Sequence, residues 1–219
     1  MNANIRFDKG TILLEGIDDS IISQIDFFSW DERVLAYRAP AFKYRETVLF
    51  LRGKNIIFDD YARKFSVESF FLKKKILPRT FQKEAIKEWF KEKLGVVSLP
   101  TGSGKTILSV ILIQKIGRPT LVHVPTIDLM RQWKNVLTQY FNIPIGLLGG
   151  GYNEIKTITV ATYDSALIHV ENKGIIFGFL VFDECHHLPS EQFQYAAISS
   201  IAPFRLGLSA TPERSDGKE

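Results

Sequence analysis

The pattern of apolar and polar positions changes character near residue 76. Before it, apolar runs are short and broken by turn residues. Ile5-Arg6-Phe7 and Thr11-Ile12-Leu13-Leu14 flank Asp8-Lys9-Gly10, which predicts a hairpin with glycine in its turn. Val34-Leu35-Ala36-Tyr37 predicts a strand that ends before Pro40. Ala41 to Leu51 predicts a helix closed by Arg52-Gly53-Lys54, after which Asn55-Ile56-Ile57-Phe58 returns to extended structure. Residues 1–75 therefore read as a small α+β domain whose many phenylalanines are mostly core. Lys73-Lys74-Lys75 before Ile76-Leu77-Pro78 suits a linker. The lysine triplet fits a solvated run or contact with a nucleic-acid backbone, and the basic residues scattered through the first part leave the same two readings open.

From Arg79 onward, strands and helices alternate. Phe81, Ala85, Ile86, Trp89 and Phe90 recur at helical spacing. Strands are predicted at Val96–Leu99, Thr120–Val124, Thr157–Thr162, Phe179–Phe182 and Leu206–Leu208, with helices near 105–116, 128–140 and 191–200. Such alternation implies an α/β fold, a parallel sheet with helices on both faces, over residues 76–219. Ligands in these folds bind at the carboxyl ends of strands. Lys105, Asp183 and Ser209 each follow a predicted strand and are expected to face one crevice.

Composition changes this picture little. The chain of 219 residues is 45% hydrophobic and 24% charged with a formal charge of +4, a globular balance that permits nucleic-acid contact without requiring it. One cysteine, Cys185, excludes an internal disulfide and suggests a reducing, cytoplasmic setting. No long apolar run predicts a membrane span, and no Gly-x-Ser-x-Gly elbow supports serine hydrolase chemistry.

The chemistry concentrates in two places. Thr101-Gly102-Ser103-Gly104-Lys105-Thr106 lies between an apolar strand and an apolar-rich helix. A glycine turn there aims backbone N–H groups and the helix dipole at one point, which suits phosphate. Lys105 adds a cation for the outer phosphates and the Thr106 hydroxyl a ligand for magnesium. The strict phosphate-loop pattern would begin with glycine where Leu99 stands, but its working end is intact. The second place is Val181-Phe182-Asp183-Glu184-Cys185-His186, an apolar strand ending in adjacent carboxylates. Triphosphate hydrolysis needs one carboxylate near the metal and a polar group to orient water, roles that fit Asp183 and Glu184. The cofactors expected are thus ATP and Mg2+. Zinc spacings are absent around Cys185, His186 and His187, so Cys185 reads as a packing residue and His186 as a polar link beside the nucleotide pocket.

Together these segments resemble the superfamily 2 helicases. Leu99–Thr106 is similar to motif I and Asp183-Glu184-Cys185-His186 to the DExH box of motif II. Ser209-Ala210-Thr211 is similar to motif III, which in the family couples nucleotide state to domain movement. The resemblance implies that Arg79 and Gln82 belong to an upstream adenine-reading element. It also implies that Pro125 and Thr126, as motif Ia, and Thr162, in a later motif, contact nucleic acid. A closer resemblance is to the XPB-type helicases, through Asp183–Pro189 and Ala202–Thr211, with the first part similar to their damage-recognition domain and the second to a RecA-like domain. It implies action on duplex DNA in nucleotide excision repair or transcription, and a nuclease partner in archaeal members. The family's Arg-Glu-Asp element falls on Arg214-Ser215-Asp216, where serine replaces the glutamate, leaving Arg214 and Asp216 as candidates. A second RecA-like half, with its arginine finger, has no counterpart by Glu219, so the chain is expected to be an N-terminal half with little or no ATPase activity alone. An ATP-gated DNA-binding clamp that never unwinds strands, and an RNA-directed enzyme, are alternatives that use the same loop and carboxylates.

Overall fold

The computed structural model describes residues 2–187 and 191–210. Two sheets organise them. In the first, β1 (Ala3–Asp8) and β2 (Thr11–Glu15) form the predicted hairpin, with Lys9 and Gly10 in its turn. A short helix, α1 (Asp19–Ile22), is capped by the Asp18 carboxylate. Strands β3 (Ser29–Asp31) and β4 (Ala36–Pro40) follow, then a 3-10 turn at Ala41–Lys43, helix α2 (Tyr44–Gly53) and β5 (Phe58–Asp60). The sheet order is β3-β4-β2-β1-β5, with β5 parallel to β1. Ile5, Ile12, Leu14, Ala39, Tyr44 and Leu51 meet in its core.

Several boundaries differ from the sequence reading. Helix α2 starts at Tyr44, after the 3-10 turn, and the strand read from Val96 starts at Leu94. Helix α1 and strand β3 have no predicted counterpart. Two other strand starts move for clear reasons. Val34 and Leu35 lie in the turn before β4, where Leu35 has φ +51 and points to solvent, so the strand starts two residues later and takes in Pro40. Strand β5 starts at Phe58 because Asn55 takes the left-handed φ +56 after α2, and the Ile56 N–H bonds back to the Leu51 carbonyl at 2.9 Å. That closure consumes the residues read as extended.

The second sheet has seven strands in the order β6-β12-β11-β7-β10-β8-β9. The chain runs α3 (Thr80–Glu92), β6 (Leu94–Ser98), α4 (Lys105–Ile116), β7 (Thr120–Val124), α5 (Ile127–Tyr140), β8 (Ile145–Gly149), β9 (Tyr152–Glu154), β10 (Ile158–Thr162), α6 (Tyr163–Lys173), β11 (Phe179–Phe182), α7 (Glu191–Ile198) and β12 (Phe204–Ser209). All pairings are parallel except the β8–β9 hairpin. Alternate strand residues serve opposite faces. Val122, Val181 and Leu206 pack against α3, α4 and α5, while Leu121, Leu180 and Phe182 join the layer that includes α6 and Ala197 of α7. Strands β8 and β9 and helix α6 lie outside the elements the sequence pattern predicted. The sheet is the expected RecA-like arrangement, with every predicted strand present.

The stretch joining the two sheets runs along the second. Phe65 packs in the first core and Phe70 in the second, Leu72 bridges to Phe141, and the Lys73 N–H reaches the Tyr140 carbonyl at 2.7 Å. A backbone pin secures it, since the Glu68 N–H donates to the Gly117 carbonyl at 2.9 Å. Gly117 has φ +56, and a Cβ there would lie 2.4 Å from the Glu68 carbonyl oxygen. Gly117→Ala is therefore expected to cost about 2 kcal/mol through backbone strain and clash. Its melting temperature should fall by about 4–8 °C. Gly53→Ala, in open space at the end of α2, should leave the melting temperature unchanged or raised in the same calorimetric measurement.

Candidate functional site

The turn after β6 is held on three sides. The Leu99 N–H donates to the Ser209 carbonyl at 3.0 Å, tying the turn to β12, and the Ser103 N–H closes it onto the Pro100 carbonyl at 3.1 Å. From below comes Gln82 of α3, buried at 4% exposure. Its Oε1 accepts from the Arg79 backbone N–H at 2.9 Å, and its Nε2 donates to the carbonyls of Ser103 and Gly104 at 3.0 and 3.2 Å. The side chain that the family resemblance links to adenine thus also fixes the loop. Arg79 occupies the N-cap position of α3. Gly104, with φ +86, starts α4, and a Cβ on it would lie 2.8 Å from Gln82 Nε2. Glycine is needed there for backbone conformation and for the approach of Gln82.

Beyond the turn, the first N–H groups of α4 have no partners within the helix. Lys105 donates from Nζ to the Leu99 carbonyl at 3.3 Å, and its Nζ lies 4.0 Å from Glu184 Oε1. Both side chains are largely shielded, at 11% and 30% exposure, which strengthens their mutual attraction relative to water. Glu184 adopts the left-handed φ +50 at the end of β11, a strained conformation for a residue with a side chain. Its Oε2 lies 3.6 Å from His186 Nδ1. Thr101, Gly102, Lys105 and Thr106 share a cavity of about 410 Å3 with Asp183 and Glu184.

Asp183 is nearly buried and is held by groups the sequence reading assigned no role there. The Trp133 indole Nε1–H donates to Asp183 Oδ2 at 2.6 Å, and the Tyr163 hydroxyl donates to the Asp183 carbonyl at 3.0 Å. Asp183 Oδ1 accepts from the Glu184 N–H at 3.1 Å. Burial raises the Asp183 pKa above the usual carboxylate range. The Trp133 hydrogen bond opposes that rise, the nearby Glu184 charge adds to it, and Lys105 opposes it. No spacing links 133 to 183. The available signal was that a buried indole N–H and a buried carboxylate each need a partner.

The remaining candidates lie along the same carboxyl edge of the sheet. Pro125 follows β7, and Thr126 caps α5, its Oγ1 accepting from the Leu129 N–H at 3.2 Å. Thr162 ends β10, buried, with its hydroxyl donating to Ser165 Oγ at 2.9 Å. Ser209 ends β12, buried against β6. Thr211, Arg214 and Asp216 lie outside the described residues. Cys185 packs on Gly207, where an added Cβ would sit 3.0 Å from its Sγ, and burial pushes its thiol up to about 11. Burial drives His123 down to about 4, so this ring, stacked on Phe182 with centroids 4.4 Å apart, is neutral.

The family model for the Xeroderma pigmentosum group B helicase damage recognition domain matches residues 5–62, and that for the type III restriction enzyme res subunit matches residues 75–214. The DNA 3'-5' translocase XPB2 of Sulfurisphaera tokodaii is 42% identical over 214 residues, covering 98% of this chain and 47% of the relative. The putative DNA 3'-5' helicase Rad25 of Halobacterium salinarum is 31% identical, covering 97% and 37%. The chain thus spans about half the length, or less, of these curated relatives. In fold it is similar to the UvsW helicase of bacteriophage T4, at TM-score 0.56 and 17% identity over 96% of this chain and 93% of that one. The chain therefore belongs to the type III restriction enzyme res-subunit family, and its first segment is similar to the damage recognition domain of the Xeroderma pigmentosum group B helicase.

Proposed function

We propose that this chain is the nucleotide-binding and DNA-recognising part of an ATP-dependent DNA helicase or translocase of XPB type, acting in nucleotide excision repair or transcription. Residues 1–75 form its recognition unit and residues 76–219 its first RecA-like unit. The observation that carries the reading is the 4.0 Å approach of Lys105 Nζ to the Glu184 carboxylate across a glycine turn. The family of the chain and the translocase and helicase names of its relatives supply DNA as the substrate and 3′-to-5′ as the direction.

The residues present suit Mg2+ and ATP. Ser103 Oγ is buried beside the turn with no hydrogen-bond partner among the described residues. The start of α4 offers unpaired N–H groups, and Lys105 a cation, to a triphosphate. Bound MgATP supplies the phosphoanhydride bond whose hydrolysis drives movement. Lys105, 4.0 Å from Glu184, would neutralise phosphate charge. Thr106 and Asp183 would hold the metal, and Glu184 would orient a water for attack. Arg79 and Gln82 lie on the side of the adenine. Pro125, Thr126 and Thr162 face the nucleic acid, while Ser209, Thr211, Arg214, Asp216 and His186 relay nucleotide state to it. A second RecA-like unit supplies the transition-state arginine, so this chain alone is expected to bind nucleotide weakly and turn it over slowly or not at all. A nuclease is a further partner implied by archaeal relatives.

Trp133 connects these two sides, because α5 starts at the nucleic-acid-facing Thr126 and holds Asp183 seven residues after that cap. Removing its N–H takes away a charge-assisted bond worth about 1.5–3 kcal/mol.

Three outcomes are expected in the complete protein. Lys105→Ala abolishes triphosphate binding measured by calorimetry, and undiminished affinity would reject the phosphate-loop assignment. Glu184→Gln retains ATP binding but loses DNA-stimulated turnover by at least about a hundredfold. Surviving turnover would remove Glu184 from the water-orienting role. Trp133→Phe moves the Asp183 titration, followed by carboxyl carbon NMR, to higher pH. The sign also fixes stability. Since the native carboxyl titrates above its unfolded counterpart, Asp183 makes stability fall as pH rises through that window. An unmoved titration would show that the indole does not hold the carboxylate.

A further inference from the structure

The largest unexplained concentration of charge lies at the other end of the sheet. A cleft of about 550 Å3 opens between α2 with β5 and the strand-start edge of the second sheet, where Arg118 precedes β7 and Phe204 begins β12. Four guanidinium groups line it, those of Arg45, Arg52, Arg63 and Arg118. No ion pair among the described residues includes any of them. Arg45 donates to the Glu92 carbonyl at 3.2 Å and Arg118 to the Gly117 carbonyl at 3.1 Å. The one carboxylate in the cleft, Asp60, is committed to the Tyr44 hydroxyl and to the backbone N–H groups of Ala62 and Arg63. Arg118 is half-buried, and desolvation together with the Arg63 charge weakens its hold on its proton. Four like charges beside one carboxylate that is already committed are destabilising, so an anionic occupant gains from them.

The walls between these cations are apolar. Leu49 is 55% and Ile57 74% exposed at the cleft, beside Val48 and Ile56. A phosphodiester backbone would answer the charge and leave these side chains wet. The cleft also lies at the opposite sheet edge from Pro125, Thr126 and Thr162, so a nucleic acid engaged there does not reach it along one face. A peptide carrying carboxylates between apolar side chains answers both features, as in interfaces where buried apolar anchors are ringed by complementary charge. We propose that this cleft docks an acidic, apolar-anchored peptide segment of a partner protein.

The test selects random dodecapeptides displayed on phage against this chain. Recovered sequences should combine Asp or Glu with apolar residues. A fluorescent synthetic peptide of the recovered sequence should lose affinity by at least about tenfold on Arg63→Gln/Arg118→Gln, and should weaken as salt rises. Circular dichroism checks the fold of that variant, and the pair Arg45→Gln/Arg52→Gln carries the same test should it fail to fold. Failure to recover any peptide, recovery of peptides without acidic residues, or affinity unchanged in folded variants overturns the proposal. So does short duplex DNA whose binding falls in these variants while peptide binding does not, which would assign the cleft to nucleic acid. All of these readouts are independent of nucleotide hydrolysis.

Discussion

Helix α4 is buried at six consecutive positions, Leu108 to Ile113, and this constrains everything around it. A helix that is apolar on all sides has no solvent face to choose and must run through the middle of a layer. The single polar member of the run, Ser109, is satisfied inside the helix, its hydroxyl donating to the Lys105 carbonyl at 3.2 Å. With each fully buried Leu or Ile contributing about 1.5–3 kcal/mol, sliding the helix by even one residue is costly. Its N-terminus is therefore fixed at the carboxyl edge of the sheet. The glycine turn and Lys105 are carried to within reach of the residues that end β11.

The polar side of the site is built on that immobility. Asp183 pays for its burial with a raised pKa, and three neighbours reduce the penalty: Trp133, the Glu184 N–H and Lys105. Each depends on a different element, α5, the end of β11 and α4. Displacing any of them would leave a buried carboxylate short of a partner, which costs more than the bond itself contributes. The left-handed φ of Glu184 is tolerated for the same reason, because its backbone N–H satisfies Asp183 in that conformation. Strain at one residue and desolvation at the next are thus two sides of one arrangement, which aims a carboxylate at Lys105.

Legibility in the sequence followed how local each signal was. The hairpin at Asp8-Lys9-Gly10, helix α4 and strands β7 and β11 were readable because turn chemistry or a continuous apolar run lies within a few residues. Helix α6, Tyr163–Lys173, has no counterpart among the helices read from the sequence, because it starts directly after β10 with no turn residues between them. The glycine run 149–151 reads as a turn, and Gly150 and Gly151 do turn a hairpin, but the short flanking segments that become β8 and β9 carry no alternation to mark them as strands. The loop and carboxylate positions were visible as motifs. What holds them was not, since Gln82 meets Ser103 across 21 residues and Trp133 meets Asp183 across 50. Separations of that size are decided by packing and leave no periodic trace.

The packing also separates two edges of one sheet. Strand β11 leads into Asp183 and β12 ends in Ser209 beside the glycine turn, while they begin at Phe179 and Phe204 at the opposite edge. Ile201, just before β12, packs in the core of that unit, and Gly178, just before β11, lies against Phe65. The first unit is therefore seated on the same two central strands whose far ends carry the charged residues. Both strands are paired on both sides, and β11 is buried along its whole length. The packing of Phe65 and Ile201 at one end of these strands and the placing of Asp183 at the other therefore rest on the same pair of strands.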